Sequence, residues 1–316
     1  MKIVYITGCL GFIGSYVTRK CLELGWYVKG IDKCTYAANT TLLEEFKQYP
    51  NFSFEQIDIN DIEFLYDCDY VINTAAETHV GNSIVCSDCF VSSNIQGVHH
   101  LLELIRHFRQ EGKEVPTLFH FSTDEVYGDI GEGKHVETDL LKPSNPYSAT
   151  KASADMLVLA WARTYDIPYI ILRPTNNYGI GQYVEKLVPK ACKYINLGRK
   201  IPLHNQGLPI RNWLHAADTA SAVIKIIEKN IQNEIFNVSS GFEQTNIQTI
   251  TKVLQAYGKD VSNIEPYLDL SISRPGQDVR YALDDSKLRD IGWVADMNFN
   301  SEIYNIVNYY KDKFIW

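Results

Sequence analysis

Three short stretches of this sequence carry residue types and spacings that could do chemistry. In LFHFSTDEVYGD, residues 118–129, an apolar run ends in two adjacent carboxylates, Asp124 and Glu125. Such a pair is either a solvated turn or, in a dry cleft where adjacent acids split their proton affinities, an acid beside a base. In SNPYSATKASAD, residues 144–155, Tyr147 and Lys151 stand four apart and share one helix face. A phenol with its usual pKa near 10 is a poor base at neutral pH, but an ammonium within about 4–6 Å lowers such a pKa by about 1–3 units. Tyr147 could then take a proton from a sugar hydroxyl while a hydride leaves the same carbon for a nicotinamide. In TGCLGFIGS, residues 7–15, Gly8, Gly11 and Gly14 open a helix directly after a strand. Glycines there permit a tight turn, close approach of a pyrophosphate and close helix packing. The next apolar run ends in Asp32, where a carboxylate can accept hydrogen bonds from adenosine ribose hydroxyls and would repel a 2′-phosphate. The cofactor expected is therefore NAD and not NADP.

These groups need a scaffold that brings strand ends together. The runs KIVYIT (2–7), YVKGID (27–32), FSFEQID (52–58), YVINTA (70–75), TLFHFST (117–123) and YIILRPT (169–175) are rich in β-branched and aromatic residues. Amphipathic stretches such as 88–111 and 147–165 lie between them. This alternation predicts an α/β fold, a Rossmann-type doubly wound parallel sheet covered on both faces. After about residue 174 the rhythm loosens into loops with Gly, Pro, Asn and Arg, such as HNQGLPIRNW and SISRPGQD. Residues 1–173 are expected to form the NAD-binding domain, with later returns near 210–240. Residues 174–316 are expected to form mainly a smaller, interleaved substrate-binding region.

With 316 residues, 45% of them hydrophobic, the chain can bury a sizeable core. A net charge of -8 without a basic block argues against nucleic acid or an anionic membrane as partner. No segment reaches eighteen apolar residues, so a soluble, untargeted protein of the cytoplasm is expected. The seven cysteines are odd in number and unevenly spread, which fits reduced thiols better than a disulfide framework. Cys86 and Cys89 form a CxxC, but no second pair follows at zinc spacing, and no metal is expected.

The segments TGCLGFIGS, IDKCTYAAN (31–39), AAETHV (75–80), FSTDEVYGD (121–129), NPYSATKASAD (145–155), RPTNNYGIGQYVEKLVP (173–189), IRNWLHAAD (210–218) and SRPGQDVRYALD (273–284) resemble the extended short-chain dehydrogenases/reductases. Within them the chain is similar to the nucleotide-sugar 4,6-dehydratases acting on dTDP-glucose or UDP-glucose. STDEVYG is the most specific of these matches, since related epimerases and decarboxylases carry other residues where Asp124 and Glu125 stand. The resemblance implies oxidation at C4 by NAD, elimination of water across C5 and C6, and return of the hydride to C6, giving a 4-keto-6-deoxy sugar. Glu125 is then the base at C5, Asp124 the acid at the C6 hydroxyl, and Thr123 the hydrogen-bond partner of the C4 oxygen. Tyr147 and Lys151 serve the oxidation.

The resemblance also implies cofactor contacts at Gly8, Gly11, Phe12, Ile13, Gly14, Asp32, Lys33, Asp58, Ile59, Thr74, Ala75, Ala76, Thr78, Ser93 and Asn177, besides Tyr147 and Lys151. For the nucleotide sugar it implies Thr78, Thr123, Asp124, Glu125, Asn176, Lys186, Leu187, Arg211, Asn246, Arg274 and Tyr281. Forked donors such as Arg211 and Arg274, in Gly/Pro-containing loops, suit a pyrophosphate. A homodimer through the helices near 90–110 and 147–165, and a place in the making of deoxysugars such as rhamnose, are further family expectations. Some residues depart from the pattern: Gly81-Asn82 replace an acidic-basic pair, Leu10 a smaller residue, and His215-Ala216-Ala217 an aromatic-led triplet. SATKASADMLV and YALDDSKL look closer to UDP-glucose enzymes and DKCTYAAN to dTDP-glucose enzymes, so the base stays open. A nucleotide-sugar C4 epimerase, and a non-catalytic NAD-binding sensor, are the alternative readings.

Overall fold

In the computed structural model, which describes residues 1–312, six apolar runs become strands β1 (Ile3–Thr7), β2 (Tyr27–Asp32), β3 (Phe52–Gln56), β4 (Tyr70–Asn73), β5 (Thr117–Phe121) and β6 (Tyr169–Pro174). Residues 313–316 of the expected C-terminal region lie outside the described residues. The strands pair in parallel with a further strand, Glu234–Val238, in the order Glu234–Val238, β6, β5, β4, β1, β2, β3. All five residues of β5 are buried, as expected for a strand covered on both sides.

Each face of the sheet carries its own core. On one face, helices Phe12–Glu23 and Ala216–Glu228 place Val17, Cys21, Val223 and Ile227 over Val4, Ile6 and Phe236. On the other, helices Gly97–Gln110 and Pro146–Tyr165 place Leu101, Ile105, Ala154 and Val158 over Val71, Leu118 and Ile171. The amphipathic stretch 88–111 is not one straight helix: Asp88–Val91 and Gly97–Gln110 are joined by a π-helical turn, Ser92–Gln96. From β1 the chain winds outward to β3 and then crosses back to β4 on the other side of β1. The carboxyl ends of β1 and β4 therefore flank the switch point where open α/β sheets form a crevice.

Past β6 the chain builds a second, smaller core around Tyr178, Cys192, Trp213, Ile250, Leu254, Phe299 and Ile306. Its three-stranded sheet has Ile210–His215 at the centre, parallel to Asn176–Tyr178 and antiparallel to Glu243–Thr245. The two regions interleave. Residues 216–238 return to the large sheet, and Leu288 and Trp293 make a second return to its core.

Candidate active site

One cleft runs along the carboxyl ends of β1, β2, β4, β5 and β6. At its floor Gly8 turns with φ 71°, a conformation that glycine adopts at little cost. A Cβ on Gly8 would stand 2.7 Å from the Ala75 amide nitrogen, and one on Gly14 only 2.0 Å from the Gly8 carbonyl oxygen. Any larger residue would push helix Phe12–Glu23 off the strand ends. Gly11 holds the N-cap and has no side chain to occupy the first amides of that helix, which leaves its positive end open to the cleft, where it suits an anion. Phe12, Ile13, Thr74, Ala75 and Ala76 complete this end of the cleft.

Asp32, buried at the tip of β2, accepts hydrogen bonds from the amides of Leu10 (3.0 Å) and Cys34 (2.8 Å). Burial pushes its carboxyl up, and these backbone donors pull it back down. Lys33 beside it donates to Ser93 Oγ (2.9 Å) and pairs with Asp58 (3.3 Å) and Glu77 (3.8 Å). Lys33, Ile59 and Ser93 line the cleft. Asp58 stands behind its wall, where its carboxylate caps the short helix Ile59–Asp61.

The acidic pair follows β5 directly. Thr123 caps the short helix Asp124–Tyr127, and its hydroxyl donates to Asp124 Oδ1 (3.1 Å). Asp124 is only 3% exposed, and its Oδ2 has no hydrogen-bond partner among the described residues. Burial, reinforced by the neighbouring Glu125, pushes its pKa up to about 8, so the group is held protonated at neutral pH. Glu125 turns to the cleft. Burial raises its pKa too, while Arg211 and Arg274 and a hydrogen bond from Asn145 (3.4 Å) pull it down. Two like groups thus occupy environments that pull their proton affinities apart.

Helix Pro146–Tyr165 begins at Asn145, whose side chain accepts from the Ser148 amide (3.0 Å) in a capping box. This places Tyr147 in the cleft with Thr123, Asp124 and Glu125, and Lys151 one turn deeper. The structure differs here from the expected lowering of the phenol's pKa. Burial and the two carboxylates raise the Tyr147 pKa, whereas the Lys151 amine donates to the Phe121 carbonyl oxygen (2.5 Å). Burial lowers the Lys151 pKa to about 8, against the opposing pull of Asp155. Helical spacing puts the two residues on one face but does not determine which acceptor the amine takes.

Of the residues expected on the sugar side, Thr78, Asn176 and Lys186 line the cleft, as does Asn177 of the cofactor set. The Lys186 amine donates to the Thr78 carbonyl oxygen (3.0 Å) and hydroxyl (3.1 Å). Asn176 Oδ1 is buried with no partner among the described residues. Arg211, Arg274 and Tyr281 stand around Glu125 beyond the cleft wall. The Arg211 guanidinium lies 4.5 Å from the Tyr281 ring centroid, and the Tyr281 hydroxyl donates to Asp278 and stands 3.4 Å from the Glu125 carboxylate. Leu187 packs into the second core and Asn246 starts helix Asn246–Tyr257, so neither reaches the cleft.

The departures from the family pattern have local explanations. Leu10 is buried in the first core while its amide serves Asp32. The Asn82 amide donates to His79 Nδ1 (3.0 Å), and His215 accepts from the Ala217 amide (3.2 Å) as a helix cap. Sequence reasoning did not single out Asn145, Glu77, Gln182 and Glu185. The last three line the cleft, and Gln182 donates to the Asn177 carbonyl oxygen (2.9 Å). The signal for all four was present, since each lies inside a segment that carries the family resemblance.

The family model described as GDP-mannose 4,6 dehydratase matches residues 5–306. A dTDP-glucose 4,6-dehydratase of Neisseria meningitidis is 38% identical over 337 aligned positions, spanning 100% of this chain and 95% of its own. A low-salt glycan biosynthesis protein, Agl12, of Haloferax volcanii is 37% identical over 312 positions, spanning 97% and 98%. Among solved structures, the dTDP-glucose 4,6-dehydratase DesIV of Streptomyces venezuelae, crystallised with NAD, superposes with a TM-score of 0.91 at 32% identity. That match covers 98% of this chain and 97% of the other.

Proposed function

The chain belongs to the GDP-mannose 4,6 dehydratase family, and from that premise we propose that it removes water from a nucleoside-diphosphate glucose, with dTDP-glucose as its substrate and NAD as its cofactor. The observation that carries this reading is the pair Asp124 and Glu125, set beside Tyr147 in one cleft with divided proton affinities. A C4 epimerase would need Tyr147 but would have no use for that pair.

The cradle fits a dinucleotide. Gly8, Gly11 and Gly14 would admit its pyrophosphate to the uncapped helix end, and Asp32 would accept from its adenosine ribose hydroxyls. A bound NAD would supply the acceptor for the C4 hydride and the donor for its return to C6. Tyr147 takes the proton from the C4 hydroxyl, and Thr123 holds the oxygen left there. Lys151, one helical turn away, is held by the Phe121 carbonyl oxygen at the back of the site. Once C4 is a ketone the C5 proton is acidic. Glu125, kept closer to its ionised form by Arg211 and Arg274, removes it. Asp124, kept neutral by burial, protonates the departing C6 hydroxyl. Asn176, Lys186, Arg211 and Arg274 are assigned to the diphosphate and sugar, with Tyr281 closing over them. Leu187 and Asn246, outside the cleft, carry no contact in this reading.

The naming of the relatives for dTDP-glucose favours thymine over uracil. The same reading takes the chain as a cytoplasmic homodimer acting in the making of a deoxysugar such as rhamnose. Mass spectrometry of dTDP-glucose and UDP-glucose after incubation tests the activity. Loss of one water from dTDP-glucose is expected. Isomerisation without loss of mass would select the epimerase, and no turnover of either sugar would overturn both readings.

A further inference from the structure

Of the seven cysteines, Cys86 and Cys89 alone are exposed, and they are separated by two residues. Cys86 ends helix Val80–Val85 in an extended conformation. Ser87 has right-handed helical angles (φ -95°, ψ -9°), and Asp88 opens the next helix, Asp88–Val91. Two successive helical residues make a turn whose outer Cα atoms lie within about 7 Å. A disulfide spans about 4.4–6.8 Å between Cα atoms.

The segment that carries these thiols also holds the candidate base in place. Ser83 Oγ accepts from the Tyr147 amide (3.2 Å), and the Phe90 ring packs edge-on against the Tyr147 ring at 6.4 Å. Just beyond it, Ser93 accepts from Lys33 in the cleft wall (2.9 Å). Asn94 accepts from the Glu77 amide (2.9 Å) and donates to Thr150 Oγ1 (3.0 Å) on the helix of Tyr147. A bond closed at 86–89 would therefore act on residues that contact Tyr147 on one side and the cofactor end of the cleft on the other.

We propose that Cys86 and Cys89 form a reversible dithiol–disulfide switch that oxidation by a small-molecule disulfide closes and that alters the set of Tyr147 and of the adjoining cofactor wall. The step is a thiol–disulfide exchange. The Cys86 thiolate attacks one sulfur of the external disulfide and releases the other as a thiol. Cys89 then attacks the mixed disulfide, displaces the second thiol and leaves an internal S–S bond. The external disulfide gains two electrons and the two protons given up by the protein. Partial burial and the nearby Glu77 and Cys86 raise the Cys89 pKa, which disfavours Cys89 as the first attacker.

The probe is glutathione disulfide, added to the reduced protein and then removed. The peptide containing both cysteines is expected to lose two hydrogens. Turnover of dTDP-glucose is expected to change by about ten- to hundredfold, as misplacement of a reacting group by up to about 1 Å does, with a several-fold change in NAD affinity. Dithiothreitol should reverse both effects, and Cys86→Ser and Cys89→Ser should each keep their rate and NAD affinity through the treatment. The activity arm rests on the proposed function. A protein that turns over no sugar yet forms the bond and shifts its NAD affinity contradicts that function and supports the switch. A peptide that keeps both thiols or carries glutathione on each, or an oxidised protein with unaltered rate and NAD affinity, overturns the switch.

Discussion

The Asn145 side chain joins the two halves of the site: its oxygen accepts from the Ser148 amide at the start of the Tyr147 helix, and its nitrogen donates to the Glu125 carboxylate at 3.4 Å. Asn145→Ala removes both links and should cost about 1 kcal/mol in stability. Asn145→Asp keeps a good cap but offers Glu125 a negative charge instead of a donor. Thermal unfolding should therefore show Asp near wild type and Ala below it, while the pH–rate profile of Asp shows its acid limb moved to higher pH. Equal melting temperatures and equal profiles for the two variants would remove Asn145 from both roles.

On the proposed reading, Asp32 sets the choice of dinucleotide. Its neighbour Lys33 is engaged by Asp58, Glu77 and Ser93 and does not offer a 2′-phosphate a free cation. NAD should bind tighter than NADP by on the order of a hundredfold, the scale of a like-charge contact. Direct titration of the two cofactors checks it, and equal affinities would contradict it.

Tyr147→Phe keeps the ring against Phe90 and loses the hydroxyl. The fold should survive, by circular dichroism and melting temperature. Reduction of bound NAD by dTDP-glucose should fall by about 10²–10⁴, the usual contribution of a general base.

The pH dependence follows from Asp124. Its folded pKa of about 8 lies above the ordinary carboxyl value of 3.8. The stability tied to this group is full below about pH 4 and declines as pH rises toward 8, because the unfolded chain releases the proton and the folded chain keeps it. Asp124→Asn should remove that decline, so its stability relative to wild type should improve steadily from pH 4 to pH 8 in urea titrations. Turnover should fall above about pH 8, where Asp124 and Lys151 both lose their protons. A wild-type stability that rises over the same interval, parallel to the variant's, would contradict the assignment.

The large sheet was legible because each of its first six strands is an apolar run bounded by turn residues, and β5 has five buried residues in succession. Strand Glu234–Val238 was not read as a strand. It is short, opens on a glutamate, and belongs to the sheet only because helix Ala216–Glu228 carries the chain back. The glycine cradle, Asp32 and Tyr147 could be read from local spacing, since each is placed by the strand or helix that contains it. The surroundings of Glu125 could not. Asn145, Arg211, Arg274 and Tyr281 converge on it from separate loops, and only family resemblance pointed to the last three. Desolvation was equally hidden. It raises the Tyr147 pKa where spacing alone suggested a fall, and the Phe121 carbonyl that receives Lys151 is a backbone group with no sequence signature.

The central claim is that Glu125 takes the C5 proton, and the direct measurement is solvent deuterium incorporation at C5 during a single turnover of dTDP-glucose in deuterated water. Glu125→Gln keeps the side-chain shape and its neighbours but cannot accept the proton. The variant should still reduce bound NAD and should build up the 4-keto-glucose intermediate. Its C5 exchange should be slower than wild type by about 10²–10⁴. If Glu125→Gln incorporates deuterium at C5 as fast as wild type does, Glu125 is not the base, and the acidic pair at the end of β5 has no part in the elimination.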